Sequence, residues 1–334
     1  MTAFDKHIAE QPDVINALLE AELPVLDPDR PLIFTGVGSS MHACRIAEAW
    51  VRCLGRGPAP ATAIEAHDLA LTGKISPDHQ IVVVSHRGTK RYPNRVLRLA
   101  ADVGATTIAV TGQGPTEPGA DVVVRTCPQE QSGTHTVSYT AALTILARLA
   151  AGYVGHRGQP LVEALTQVPG ALRQSLELPI SGAAVETLAA ATTPAIIAGT
   201  GTDAITAAEA ALKIKEGTYR WAEGLHTEFA LHGTPAVYTS ATTGFLLRPM
   251  GPDGGRTRDL ETLLRTIGAP VFHCGDDEGA DLPVAAVPAL ARPLVAIVPF
   301  QRLVSLVATR TGASPDHIHT DIEPWKSAMT QVEL

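Results

Sequence analysis

Short apolar runs recur along this chain, each ending in glycine or a hydroxyl-rich turn and each followed by a helical pattern. The opening segment, residues 1–27, spaces Ile8, Val14, Ile15, Leu18 and Leu19 as an amphipathic helix does. PLIFTG (31–36) then reads as a buried strand, GVGSSMHA (36–43) as a loop, and CRIAEAWVRCLG as a helix running to Gly55. IVVVSHRGTKR (81–91) repeats the unit: an apolar strand runs into a polar loop, and a helix follows Pro93. TTIAVTG (106–112) and DVVVRTC (121–127) read as further strands. PQEQSGTHTVSY (128–139) reads as a loop leading into an apolar helix over 140–151. Strands this short, alternating with helices, predict a parallel sheet covered on both faces.

Residues 152–190 read as a helical bridge punctuated by HRGQP and VPG. The pattern then restarts. TPAIIAGTGTDAITAAEAALKIKEG (193–217) mirrors the strand, glycine loop and helix of residues 31–55. PAVYTS (235–240), GFLLRPM (244–250), APVFHCG (269–275) and LVAIVPF (294–300) are the expected later strands. Helices are expected over 258–267 and in LVSLVATRTG (303–312). The chain therefore reads as an internal duplication of one α/β unit. The expected divisions are a leading helix at 1–24, a first unit at 25–160, a bridge at 161–184, a second unit at 185–312 and a tail at 313–334.

Composition narrows the function classes. Apolar residues make up 45% and aromatics only 4%, so the cores must be aliphatic. A net charge of −8 gives no global attraction to nucleic acid or an anionic membrane, so any anion site must be local. The four cysteines lie far apart with no C-x-x-C pair, which fits a reducing cytoplasm better than a disulfide scaffold or zinc ribbon. The start is polar and acidic, unlike a secretory leader, and no run approaches the length of a membrane span. His317 and His319, with Asp316 and Asp321 nearby, read as a solvated cluster in the tail, so neither metal nor cofactor is expected.

The candidate chemistry concentrates between Leu212 and Gly233, LKIKEGTYRWAEGLHTEFALHG. Lys213 and Glu216 are three residues apart, which puts both on one helix face. Gly217 reads as the helix stop, and Glu223, His226, Glu228 and His232 follow. The loop bearing Gly38, Ser39 and Ser40 reads as an anion holder or as a plain tight turn. It lacks the third glycine of a dinucleotide loop and the lysine of a Walker loop. The loop of Ser85, His86, Arg87, Thr89 and Lys90 repeats its logic.

Several of these motifs resemble those of the sugar isomerase (SIS) domain family, in particular its double-domain members. They are TGVGSSMHA (35–43), VVVSHRGTKR (82–91), EQSGTHTVSYTAAL (130–143), ALKIKEGTYRWAEG (211–224), FALHG (229–233) and WKSAMTQVE (325–333). The isomerase half of glucosamine-6-phosphate synthase, amino-sugar-phosphate deaminases and fructosamine-phosphate deglycases share them. The resemblance implies two three-layer α/β/α units, each on a mainly parallel sheet, with a C-terminal tail over the site.

It also implies roles. Glu216 would move a proton between C1 and C2 of an open-chain sugar, with Lys213 close by. His232 would assist ring opening, in its own or a neighbouring subunit, and Lys326 would approach the anomeric oxygen. Gly38, Ser39, Ser40, Ser85, His86, Arg87, Thr89, Lys90, Glu130, Thr134 and His135 would line the substrate. The implied partners are an anionic sugar and further copies of the chain, as a homodimer or larger assembly.

Three departures bear on substrate choice. Arg87 and Lys90 stand where the family has small hydroxyl residues, DIEPWK replaces the usual approach to the tail lysine, and His135 replaces a serine. No glutamine-hydrolysing module is recognised, so making ammonia from glutamine is not expected. The implied activity is isomerisation or deamination of an amino-sugar phosphate such as glucosamine 6-phosphate. Deglycation, another anionic sugar and non-catalytic sensing are the alternatives.

Overall fold

The computed structural model describes residues 1–55 and 59–332. Glu333, the last residue of the tail motif, lies outside them. Contacts divide the chain into two units. The first comprises the described residues of Glu10–Glu130, Val137–Gln167 and Ser327–Leu334, the second those of Met1–Ala9, Gln131–Thr136 and Val168–Lys326.

In chain order the elements begin with α1 (Ala3–Leu18), β1 (Leu32–Gly36), α2 (Ser39–Cys53), β2 (Ala61–Glu65) and α3 (Ala66–Leu71). They continue with β3 (Gln80–Val84), α4 (Arg91–Val103), β4 (Thr106–Gln113), β5 (Val122–Pro128), α5 (Val137–Tyr153) and α6 (Gln159–Leu165). Next come α7 (Val168–Glu177), α8 (Gly182–Ala189), β6 (Ala195–Gly199), α9 (Thr202–Thr218), β7 (Ala222–His226) and α10 (Thr227–Leu231). The last are β8 (Gly244–Leu247), α11 (Arg256–Thr266), β9 (Val271–Gly275), β10 (Leu282–Pro283), α12 (Arg292–Ala296), α13 (Val298–Thr311) and α14 (Trp325–Thr330).

The first sheet runs β2-β1-β3-β4-β5 and the second β10-β9-β8-β6-β7. Every pairing is parallel. Reading β6 to β10 as counterparts of β1 to β5, the two orders are the same, so the duplication expected from the pattern is present in the topology. Each sheet carries helices on both faces. In the first, Leu69 of α3 and Val96, Leu97 and Ala100 of α4 pack on Ile33, Ile81 and Val83, while α2 and α5 lie together elsewhere, against β1 and β5. In the second, Ala230, Leu260 and Leu264 of α10 and α11 pack on Ile196, Ala198 and Leu246. There α9, α12 and α13 form the other layer.

In both sheets the first strand sits between its second and third. The chain reverses its winding there, and in such sheets ligands enter beyond the strand ends at that point. In the first sheet the loops after β1 and β3 flank this place. They are the loops of Ser39/Ser40 and of Ser85 to Lys90.

Several expected elements are corrected. LVAIVPF (294–300) is not a strand but parts of α12 and α13. A short apolar run cannot by itself distinguish a buried strand from a buried helix. Pro293 and Pro299 sit in the first turns of these helices, where a missing N–H costs nothing. PAVYTS (235–240) is not a strand either; Thr234–Val237 form a 3-10 turn. Gly217 does not stop α9, which runs on to Thr218 and ends at Tyr219 in a left-handed conformation, φ 59°. Gly217 is instead a point of close approach, since a Cβ there would lie 2.3 Å from Val304 Cγ1.

The strands β2, β7 and β10 were not anticipated. β7 has the sequence AEGLH, with little apolar signal. It is held by proximity, because a Cβ on Gly224 would lie 2.4 Å from the Ala207 carbonyl oxygen and from Ala208 Cα. Contrary to expectation, one stretch is long and apolar enough to cross a membrane, Ala289–Thr311. Its most apolar window is 78% buried inside the fold, as in a core helix.

Candidate active site

The first unit, taken by itself, carries the turn after β1. Gly38, the N-cap, takes φ 59°, ψ −126°, and α2 starts at once with Ser39 and Ser40. Gly36 must lack a side chain, because a Cβ would come 2.7 Å from Ser40 Cβ. Ser39 and Ser40 are half-buried beside the free N–H groups of a 15-residue helix.

The turn after β3 is held by its backbone. Gly88, at φ 67°, donates to the Ser85 carbonyl at 3.0 Å, and Asn94 Nδ2 donates to the Gly88 carbonyl at 3.0 Å. Ser85 is buried, and its Oγ has no hydrogen-bond partner within the described residues. Buried hydroxyls are ordinarily satisfied, so this one asks for a partner. Arg87, Thr89 and Lys90 are exposed. Partial desolvation and then the Arg87 charge hold Lys90 below the ordinary lysine range.

His86 has a different position from its loop neighbours. Its Nε2 accepts the Glu130 N–H at 3.0 Å, and its carbonyl accepts from Gly112 N–H at 2.8 Å and Thr111 Oγ1 at 3.0 Å. It therefore ties together the ends of β3, β4 and β5. Glu130 is buried, and its Oε1 accepts the Ser138 N–H at 2.6 Å, at the start of α5 where a carboxylate is favoured.

The second unit, by itself, carries α9. Glu209, Lys213 and Glu216 lie along one stripe of that helix, as spacings of four and three dictate. Lys213 Nζ is 2.7 Å from Glu216 Oε2 and 3.4 Å from Glu209 Oε1. The Lys213 and Glu209 side chains are each 1% exposed, while that of Glu216 keeps 25%. Burial pushes the Glu216 carboxyl above the usual carboxylate range, with Lys213 pulling the other way. Glu209 was missed by the sequence reading, although its place one turn before Lys213 signalled it.

His232 lies on another element. It ends α10 and is 73% exposed, with Nε2 2.9 Å from Glu228 Oε2. Glu228 is also gripped by Arg256, at 2.6 Å and 3.2 Å. These bonds hold its carboxyl below the usual range, Arg256 foremost. His226 caps α10 by accepting the Glu228 N–H at 3.2 Å. Glu223 is an exposed residue of β7.

The tail is anchored to the end of α9. The Tyr219 ring stacks on His319 at 3.6 Å between centroids, and His319 stacks on Trp325 at 4.5 Å. Tyr219 Oη also donates to the Ser314 carbonyl at 2.9 Å. His319 is therefore not a solvated tail histidine, as the sequence suggested; it is the middle of an aromatic stack. Ile318 and His319 take left-handed backbone angles, φ 45° and 64°, a strained conformation for a β-branched residue. Residues 132–134 fix the same segment: Gly133 N–H donates to the Asp316 carbonyl at 2.9 Å and Thr134 N–H to that of Pro315 at 3.0 Å. Thr134 is buried with no partner for its Oγ within the described residues, and His135 is half-buried. Lys326 follows Trp325 directly and is exposed.

Known proteins share this fold. Residues 26–152 match the SIS domain family. The chain is 27% identical over 353 aligned positions to the isomerizing glutamine–fructose-6-phosphate aminotransferase of Zymomonas mobilis, covering 94% of this chain and 57% of that protein. It is 27% identical over 303 positions to the enzyme of the same name from Methanothermobacter thermautotrophicus, covering 85% and 50%. The chain thus spans about half the length of the curated relatives it matches. Among solved structures, the C-terminal domain of glucosamine-fructose-6-phosphate aminotransferase from Francisella tularensis superposes with a TM-score of 0.81 at 18% identity, covering 95% of this chain and 98% of that one. Glucosamine-6-phosphate deaminase from Thermotoga maritima gives 0.74 at 19%, covering 95% and 97%. Residues 26–152 thus match the SIS domain family, and the strand order of that unit recurs in the second sheet, so the α/β/α unit is present twice.

Proposed function

We propose that this protein is a sugar-phosphate isomerase or deaminase of the aldose–ketose type. The observation that carries this reading is the buried Glu209–Lys213–Glu216 stripe. A carboxylate with a raised pKa, partly open to solvent and held by a lysine, is suited to shuttle one proton between adjacent carbons. Glu216 takes the proton from one carbon as an enediol or enolamine forms, and returns it to the neighbouring carbon. Lys213 opposes the charge on Glu216, and Glu209 holds Lys213. With a C2 amine, the enolamine tautomerises to an imine that one water hydrolyses to ketose and ammonia, so the outcome is deamination; with a C2 hydroxyl, the enediol reprotonates and the outcome is isomerisation.

The first unit's loops are the proposed anion holders. Ser39 and Ser40 lie at a helix start, and Ser85 offers an unsatisfied hydroxyl. Arg87, Lys90 and Arg91 crowd the start of α4, whose first turn holds no acid. Cations there oppose the helix dipole, and a bound phosphate would relieve that opposition. Gly38, Thr89 and Glu130 complete that proposed lining, with His86 bracing it; Thr134 and His135 are proposed substrate contacts of the second unit.

His232 and Lys326 are proposed for ring opening. Trp221, Phe229 and Val237, all on or beside β7 and α10, are 70%, 70% and 74% exposed. An apolar patch around an exposed histidine supports a second copy docking here, so that His232 serves the neighbour's site. An amino-sugar phosphate such as glucosamine 6-phosphate is the proposed substrate. Another anionic sugar is the second reading, because Arg87 and Lys90 suit a sulfonate or carboxylate as well as a phosphate.

A panel of C2-amino, C2-hydroxy and N-substituted sugar phosphates, scored for both ketose and ammonia, tests the proposal. Turnover of at least one member is expected. Binding without turnover across the panel would overturn catalysis in favour of sensing.

A further inference from the structure

The two strand–glycine–helix turns are one turn built twice. Gly38 takes φ 59°, ψ −126°, and Gly201 takes φ 57°, ψ −127°. A Cβ on Gly36 would meet Ser40 Cβ at 2.7 Å, and one on Gly199 would meet Asp203 Cβ at 2.8 Å. Ser40 N–H donates to the Val37 carbonyl at 3.2 Å, and Asp203 N–H to the Thr200 carbonyl at 3.0 Å. Asp203 therefore stands in the second unit where Ser40 stands in the first.

Their surroundings differ. Ser40 is a small, half-buried hydroxyl in the first turn of α2. Asp203 is a carboxylate, only 5% exposed. Arg292, 4% exposed, donates from Nε to its two oxygens at 2.9 Å and 3.0 Å. Arg292 Nη2 also donates to the Arg248 carbonyl at 2.7 Å. Arg248 directly follows β8, as Ser85 directly follows β3. One carboxylate–guanidinium pair thus reaches from the turn after β6 to the end of β8, across the second sheet's own switch point.

We infer that the second unit keeps a tetrahedral-oxyanion site occupied by its own chain, with Asp203 as the resident anion and Arg292 as its receptor. A buried guanidinium beside a helix start is a receptor for phosphate or sulfate when no carboxylate fills it. Filling it from within leaves the crevice closed to solute anions. It also commits the N-terminal end of α9, leaving the opposite end of that helix to Lys213 and Glu216. The inference concerns the second sheet alone and stands whether or not Glu216 is a base.

Asp203→Ser installs the first unit's residue and empties the site. Titration of the full chain with inorganic phosphate, followed by calorimetry, is expected to show one more phosphate bound per chain in D203S than in the unaltered protein. Adding Arg292→Met should remove the extra site. Equal stoichiometry in D203S and the unaltered protein would overturn the inference, as would an extra site that persists in the double variant. If D203S does not fold, Asp203→Ala vacates the same volume and withdraws the charge. Its denaturation midpoint should then rise with phosphate more steeply than that of the unaltered chain, and an equal slope would overturn the inference.

Discussion

Lys213 Nζ sits between two carboxylates of its own helix, 2.7 Å from Glu216 and 3.4 Å from Glu209, with its side chain 1% exposed. A lysine this buried remains charged only because it is paired. One partner, Glu209, is sealed; the other, Glu216, faces outward enough to meet a substrate. Glu216→Gln is expected to lower turnover by about 100-fold or more, the usual worth of a positioned base, while ligand affinity persists. Steady-state kinetics beside a binding titration checks this, and unchanged turnover would refute the base assignment.

The pH dependence follows from the same trio. Burial raises the Glu216 pKa, and Lys213 lowers it. The base must be deprotonated, so activity should be lost as pH falls through the raised pKa. Lys213→Met removes the lowering influence, so the acid limb should move to higher pH. For stability the sign is opposite to that of a salt-bridged surface carboxylate. The folded state holds the proton more tightly, so this group's contribution is largest at low pH and is lost as pH rises through the folded pKa. Glu216→Gln should flatten that loss in pH-dependent denaturation curves.

Arg87 and Lys90 bear on the anion. If they hold it, each removes a charge-assisted hydrogen bond when changed to alanine, about 1.5–3 kcal/mol or roughly tenfold or more in affinity. The double variant should weaken binding of a sugar phosphate far more than that of its uncharged parent sugar. Equal loss for both would show that the pair only shapes the loop.

The Tyr219–His319–Trp325 stack holds the residue next to Lys326, the lysine proposed for ring opening. Aromatic pairs are worth about 0.5–1.5 kcal/mol each. His319→Ala should reduce kcat several-fold with a smaller effect on KM, whereas His319→Phe, which keeps a ring in the stack, should restore most of it. Loss of activity in both variants alike would point to the imidazole itself.

Gly224→Ala tests how β7 is held. The added methyl would fall against the α9 backbone at Ala207 and Ala208, which cannot yield as a side chain can. Overpacking of this kind costs about 1–3 kcal/mol, read as a lower urea midpoint with an unchanged slope.

Much of this protein was legible in the order of its residues. Apolar runs ending in glycine located β1, β4, β6 and β9, and apolar runs passing into polar residues located β3, β5 and β8, because a buried parallel strand needs little besides apolar side chains and a turn. The i, i+3 spacing placed Lys213 beside Glu216, because helical geometry is local. The repeated glycine turn disclosed the duplication for the same reason.

Tertiary structure decided the rest. LVAIVPF carries no periodicity that separates strand from helix, and the layer it fills made it helical. β7 has almost no apolar signal and exists because Gly224 lets α9 approach. Glu228 is held by Arg256, Asp203 by Arg292 and His319 by Tyr219 and Trp325, pairings between residues 28, 89, 100 and 6 positions apart. No local rule encodes such partners, because the free energy of a charge or a ring depends on what the fold places beside it.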